Sequence, residues 1–150
     1  MDSKHIRITE ESIRGYGKPL HTSSQGPISE DDAFRYVSDV YRYDFRGNIT
    51  VGILTGKKRD IRLTRLERHV RTAELLIQLE GDAVIYLAKA SAGVPAPEEV
   101  RAFVFNQGEA IALDEGVWHW IPFPLKNDCT TLVIYKDGTG SQDYEAEDLH

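Results

Sequence analysis

Apolar and polar positions along this chain fall into short runs with period two, or into brief continuous apolar stretches, rather than into long stripes of period 3.6. Such runs occupy residues 48–54, 61–69, 74–79, 83–88, 100–105, 110–113, 117–121 and 130–135. Their Val, Ile, Leu, Tyr and Phe content predicts short strands. Residues 33–45, with Tyr36, Val37, Val40, Tyr41, Tyr43 and Phe45, read as one or two more strands, a helix being the weaker option. Turn residues separate the runs at Gly47-Asn48, Gly56-Lys57-Lys58, Gly81-Asp82, Asn106-Gln107-Gly108, Pro122 with Pro124, and Asp137-Gly138. One helix start is visible, with Thr9 as N-cap, Glu10 and Glu11 in the first turn, and Gly15 and Gly17 ending it. Residues 21–32 and 91–99 read as loops, and the acidic end, 143–150, as a packed or frayed tail. Many short strands at even spacing after one short N-terminal helix predict an all-β sandwich or barrel, with a jelly roll the best fit.

Composition narrows the function. At 150 residues the chain supports one sizeable core, so residues 1–150 are expected to form a single domain. A net charge of −6 and a pI near 5.3 argue against a nucleic-acid partner, which calls for a basic patch. A small carboxylate substrate fits if a few Arg or Lys line its pocket. The single Cys129, inside an apolar run, excludes an internal disulfide and reads as a core thiol. Residues 1–5 show no apolar leader, and no stretch approaches the eighteen or so apolar residues of a membrane span. The expectation is a cytoplasmic protein without a membrane partner.

The candidate chemistry lies between Glu67 and Gly81 and around His119. On a strand, Arg65, Glu67 and His69 share one face, and Glu74 can return to them after a turn. Val117, His119 and Ile121 likewise share a face, with Trp118 and Trp120 pointing away as core or interface residues. If both faces line one interior, Glu67, His69, Glu74 and His119 meet in an apolar cavity. Charged groups persist there only when paired or metal-bound. Two imidazoles and two carboxylates suit one divalent transition metal (Ni, Mn, Zn or Fe) better than Ca or Mg. Each histidine alone is more often a packing residue; the paired spacing favours a site. Arg65 would hold a substrate carboxylate, or else pair with Glu67. Lys57-Lys58-Arg59 reads as a solvated turn, or as one charge folded over the mouth of the cavity.

The spacing resembles the two cupin motifs, G-x5-H-x-H-x3-4-E-x6-G and G-x5-P-x-G-x2-H-x3-N, with Glu67 in the first His place and Asp114 in the Pro place. Ile61 and Phe123 replace the leading Gly and closing Asn. More closely, the chain is similar to the ureidoglycolate lyase family. The matching pieces are Tyr16-Gly17, Arg35-Tyr36, Leu66-Glu67-Arg68-His69, Gly81, Arg101-Ala102-Phe103, Gly116-Val117-Trp118-His119 and Gly140-Ser141-Gln142-Asp143. The resemblance implies a cupin-type jelly-roll β-barrel, commonly a homodimer, that splits ureidoglycolate into glyoxylate and urea in allantoin catabolism. With the motif spacing and strand parity, the candidate catalytic or metal-holding residues are Glu67, His69, Glu74 and His119, and the candidate substrate contacts are Arg65, Arg68 and Asp114. The family usually carries Gln where Glu74 stands, Tyr-His at Leu113-Asp114 and His at Trp120. Those departures keep open a related cupin enzyme for another small hydroxy or keto acid, or a non-catalytic binding cupin.

Overall fold

The computed structural model describes residues 4–21 and 25–150. Residues 1–3 of the start and 22–24 of the first loop lie outside the described residues. Strands are numbered in chain order. One sheet runs β1 (Ile6–Arg7), β9 (Arg101–Phe105), β8 (Ala83–Ala88), β11 (Trp118–His119), β6 (Arg65–Arg68) and β14 (Glu145–Asp148), with β12 (Phe123–Pro124) also paired to β8. A second runs β2 (Gly17–Pro19), β10 (Ala110–Leu113), β7 (Glu74–Glu80), β13 (Cys129–Lys136) and β5 (Ile49–Gly56). A hairpin of β3 (Ile28–Glu30) and β4 (Arg35–Val37) forms a third. Pairing is antiparallel except between β1 and β9.

The expected all-β architecture is what forms. β5 and β13 are rich in Ile, Val, Leu and Thr over eight positions each and pair along their whole length. Ile85, Leu87, Phe103 and Phe105 of the first sheet meet Leu76, Ile111 and Leu113 of the second in one core. Full burial of each such side chain is worth about 1.5–3 kcal/mol. Trp118 sits on the other face of the first sheet, buried with Leu66 and Ala88 in a smaller cluster. The two sheets therefore stand face to face, and inward positions of β6, β7 and β11 open on the space between them. Gly17 lies where β2 meets β10: a Cβ there would fall 1.9 Å from the Ala112 carbonyl oxygen.

Three local expectations need correction. The N-terminal helix is a run of turns over residues 10–16. Thr9 and Ser12 exchange side-chain bonds to each other's N–H at 2.9 and 3.0 Å, and Gly15 leaves at φ 86°. So short a segment does not recover the cost of helix nucleation. Among the described residues, the α-helix that does form is α1 (Thr139–Gln142). Within the loop expected at 21–32, β3 pairs with β4, whereas residues 39–45 are not strand. Asp39 and Arg46, at φ 57° and 51°, bend the chain at both ends of that segment. The acidic end, expected as a packed or frayed tail, is the packed one: β14 pairs with β6. No helix among the described residues is long and apolar enough to cross a membrane.

Candidate functional site

His119 and Glu67 are direct cross-strand partners on β11 and β6, which sets their side chains next to each other on the inward face. After β6 the chain crosses from the first sheet to the second through residues 70–73. It enters β7 at Glu74, whose side chain points back between the sheets. Glu74 Oε2 lies 3.0 Å from His119 Nε2 and 3.4 Å from His69 Nε2, and Glu67 Oε1 lies 3.6 Å from His119 Nε2. All four are largely buried. The expected quartet of Glu67, His69, Glu74 and His119 is thus brought together.

Both rings are held by main-chain carbonyls. His119 Nδ1–H donates to Val117 at 3.0 Å, and His69 Nδ1–H donates to Asp143 at 2.7 Å. A carbonyl can only accept, so Nδ1 carries the proton and each neutral ring turns an Nε2 lone pair into the cluster. Glu74 Oε2 and His119 Nε2, although 3.0 Å apart, make no directed hydrogen bond and are the buried polar side-chain atoms without a partner among the described residues. Two routes satisfy them. In one, a proton charges His119: burial opposes it, but the carboxylates of Glu74 and Glu67 prevail and lift the ring from 6.5 to about 9. Burial likewise pushes Glu74 up, and the two imidazoles outweigh it and hold the carboxyl below its ordinary range. In the other, a cation takes the proton's place. Ligand atoms of Glu67, His69 and His119 lie within 4.8 Å of one another, and the Nε2 and carboxylate donor set fits a divalent transition ion.

The cluster opens into a cavity of about 330 Å3 with Leu54, Ile121 and Val133 on its apolar wall. Tyr135 meets the His69 ring edge-on at 5.6 Å, and Tyr144 lies 6.2 Å from it at the rim. Burial, then the charges of Glu74 and Glu67, raise the Tyr135 hydroxyl; burial, then Glu67, raises that of Tyr144. Sequence reasoning passed over both tyrosines, and over Asp143, because their positions lie some seventy residues beyond the motif they complete. The Gly140-to-Asp143 piece was the one available signal. A wider groove of about 760 Å3 lies elsewhere, and its Arg7, Glu10, Glu11 and His21 are exposed.

Three expected substrate contacts are elsewhere. Arg65 has the right parity but is exposed, paired at 3.0 Å with Asp148, its register partner on β14. Arg68 is on the opposite face, 4.5 Å above the Trp118 ring and 2.8 Å from Glu145. Asp114 is exposed in the turn between β10 and β11. There, burial and then the Asp114 carboxylate push Tyr41 up to about 12. The 57–59 turn is tied down rather than free: Lys58 bonds the carbonyls of Pro124 and Leu125, and Arg59 bonds those of Ile121 and Pro122 while covering the Phe123 ring at 4.1 Å. No Arg or Lys lines the cavity among the described residues.

A family model described as ureidoglycolate lyase matches residues 4–149. The ureidoglycolate lyase of Pseudomonas paraeruginosa (strain DSM 24068 / PA7) is 26% identical over 140 residues, covering 89% of this chain and 83% of its own. Ureidoglycolate lyase 2 of Rhizobium meliloti (strain 1021) is 30% identical over 119 residues, covering 76% and 72%. Among solved structures, a point mutant of the 3,4-ketoisomerase QdtA from Thermoanaerobacterium thermosaccharolyticum superposes with a TM-score of 0.50 at 21% identity, covering 80% of this chain and 82% of that one. That likeness concerns the fold.

Proposed function

The chain belongs to the ureidoglycolate lyase family, and we propose that the cavity between its sheets is where ureidoglycolate is split into glyoxylate and urea. It is an enzyme of the lyase type. We read the two facing sheets as the cupin jelly roll, and the reaction as a step of allantoin breakdown. The observation that carries the reading is the convergence of Glu67, His69, Glu74 and His119 on one buried point.

Ureidoglycolate is a carbinolamine, with hydroxyl and ureido nitrogen on the same carbon. Cleavage needs the hydroxyl proton removed as the carbonyl forms, and a proton delivered to nitrogen as the carbon–nitrogen bond breaks. Glu67 suits both tasks. Its Oε1 faces His119, which leaves Oε2 for the substrate. A carboxylate that takes the hydroxyl proton can return it to the neighbouring urea nitrogen, so atoms and charge balance within one residue. Glu74 is engaged between the two imidazoles and serves to orient and charge-balance them. Leu54, Ile121 and Val133 keep the cavity apolar, which strengthens each polar contact inside it. His69, His119, Glu74 and Oε1 of Glu67 would hold a divalent transition ion. Such an ion would polarise the substrate hydroxyl and compensate its carboxylate.

We extend the reading to a pair of identical subunits. The outward face of the second sheet carries Leu75, Ile77 and Leu79 on β7, Leu132 and Ile134 on β13, and Ile49, Val51 and Ile53 on β5. Ile49, Val51, Ile53 and Leu79 are 50%, 57%, 64% and 47% exposed. A contiguous apolar face of this kind marks an interaction surface. Apart from Lys136, the register partner of Ile49 at one end of the face, these positions are apolar, and the face complements a second copy of itself about a two-fold axis.

Urea release from ureidoglycolate tests the activity. The folded His69→Ala variant is expected to lose turnover; undiminished turnover would sink the proposal. Thermal-shift screening of small 2-hydroxy and 2-keto acids covers the alternative kept open by Glu74.

A further inference from the structure

We propose that Asp143 is the positioning residue for His69, setting both the direction of its ring and the path of the chain that follows it. The inference rests on the cluster being the active site. Asp143 follows α1 and is buried at 8% exposure. Its carboxylate accepts two consecutive amides, Val70 N–H on Oδ1 at 2.9 Å and Arg71 N–H on Oδ2 at 2.8 Å. Its own carbonyl accepts His69 Nδ1–H at 2.7 Å. One residue therefore fixes three in a row, from a point more than seventy positions along the chain.

The held segment is the one that matters for the site. Residues 69–71 end the inward face of β6 and begin the crossing that returns as Glu74 at the head of β7. Thr72, next in line, is tied by its hydroxyl to the Lys136 amide at 3.1 Å. The crossing is thus clamped at successive residues, and Glu74 Oε2 is delivered 3.4 Å from His69 Nε2. The chemistry also specifies the acid over its amide. Two N–H groups need two acceptors; an Asn would offer one and set its NH2 against the other amide. Groups that orient a metal-binding or catalytic imidazole through its second nitrogen matter nearly as much as the imidazole itself.

The test reads the ring directly, without substrate. In chelator-treated protein carrying 15N-labelled histidine, long-range proton–nitrogen spectra report which nitrogen of His69 is protonated. Wild type is expected to show the Nδ1–H form alone, Asp143→Asn a mixture, and Asp143→Ala a larger share of Nε2–H. Zinc affinity is expected to fall by about tenfold or more. Ser141→Ala, on the exposed side of α1, is the control that leaves both readings unchanged. Wild type with His69 as Nε2–H overturns the proposal, whether or not any variant folds. So does a folded Asp143→Ala that keeps the pure Nδ1–H form and wild-type zinc affinity. Failure of the activity reading is distinguishable: wild type with the Nδ1–H ring but no urea release would remove the lyase assignment and leave the role of Asp143 standing.

Discussion

Replacing Glu74 by Gln removes one charge from a buried ion pair, and the consequence can be worked out. His119 is lifted from 6.5 to about 9, against the pull of burial, chiefly by the Glu74 carboxylate. At 1.36 kcal/mol per unit this is about 3 kcal/mol. The same pairing holds the Glu74 carboxyl low, so the energy is counted once. Because the folded value of His119 exceeds the unfolded one, the contribution is complete below pH 6.5 and is lost as pH rises through about 9. Glu74, with its folded value depressed, contributes above its unfolded value of 4.5 and loses that contribution only in acid. For a chain of this size, about 3 kcal/mol corresponds to roughly 6–12 °C in Tm. Chelator-treated wild type should therefore lose about that much Tm between pH 6.5 and 9.5. Glu74→Gln should start lower and stay nearly flat over the same range, since its His119 sheds the proton early. Adding zinc should flatten the wild-type curve by replacing the proton. Parallel wild-type and variant profiles across this window would refute the pairing argument.

Other substitutions probe the residues the fold moved out of the site. Arg65→Ala breaks an ion pair whose side chains are 45% and 65% exposed, worth about 0–1 kcal/mol. kcat/KM for ureidoglycolate should be unchanged, and a loss of about tenfold, 1.4 kcal/mol, would put the guanidinium back in the cavity. Arg68→Ala strips the cation from above Trp118 and should cost about 1–2 kcal/mol in urea unfolding while leaving turnover per folded molecule intact. Lost turnover at unchanged stability would contradict this placement. Val51→Lys, on the exposed outward face of β5, should convert a dimer to a monomer by sedimentation, whereas Val94→Lys, on an exposed loop residue, should not. A wild type that is already monomeric would refute the face-to-face pairing.

How much of this was legible in the sequence follows from how local each determinant is. Glu67 and His69 share a face by strand parity, and Glu74 follows after a turn whose length the motif conserves, so all three could be read from fifteen residues. His119 came from a second motif with its own glycine spacing. Arg65 shows the limit of parity: its direction is right, but Asp148, brought alongside by a strand at the other end of the chain, captures it first. The helix expected after Thr9 has the correct cap signals, yet Ser12 and Gly15 consume them within one turn. Asp143 was marked only as the end of the Gly140-to-Asp143 piece, and neither its role nor that of Tyr144 could be read, because their partners are set by tertiary contact alone.

β5 forms one wall of the cavity through Gly52 and Leu54, and it is also the last strand of its sheet, paired to β13 on one side only. The inner wall of the cavity and the outward apolar face therefore share a single ribbon, which among the described residues is hydrogen-bonded along one edge. Whatever lies against its outside and whatever occupies its inside draw on the same conformational freedom. In the proposed pair of subunits, each would lower the entropy the other must still remove, and ligand occupancy and subunit association would then be linked through one strand, with equal effect in both directions.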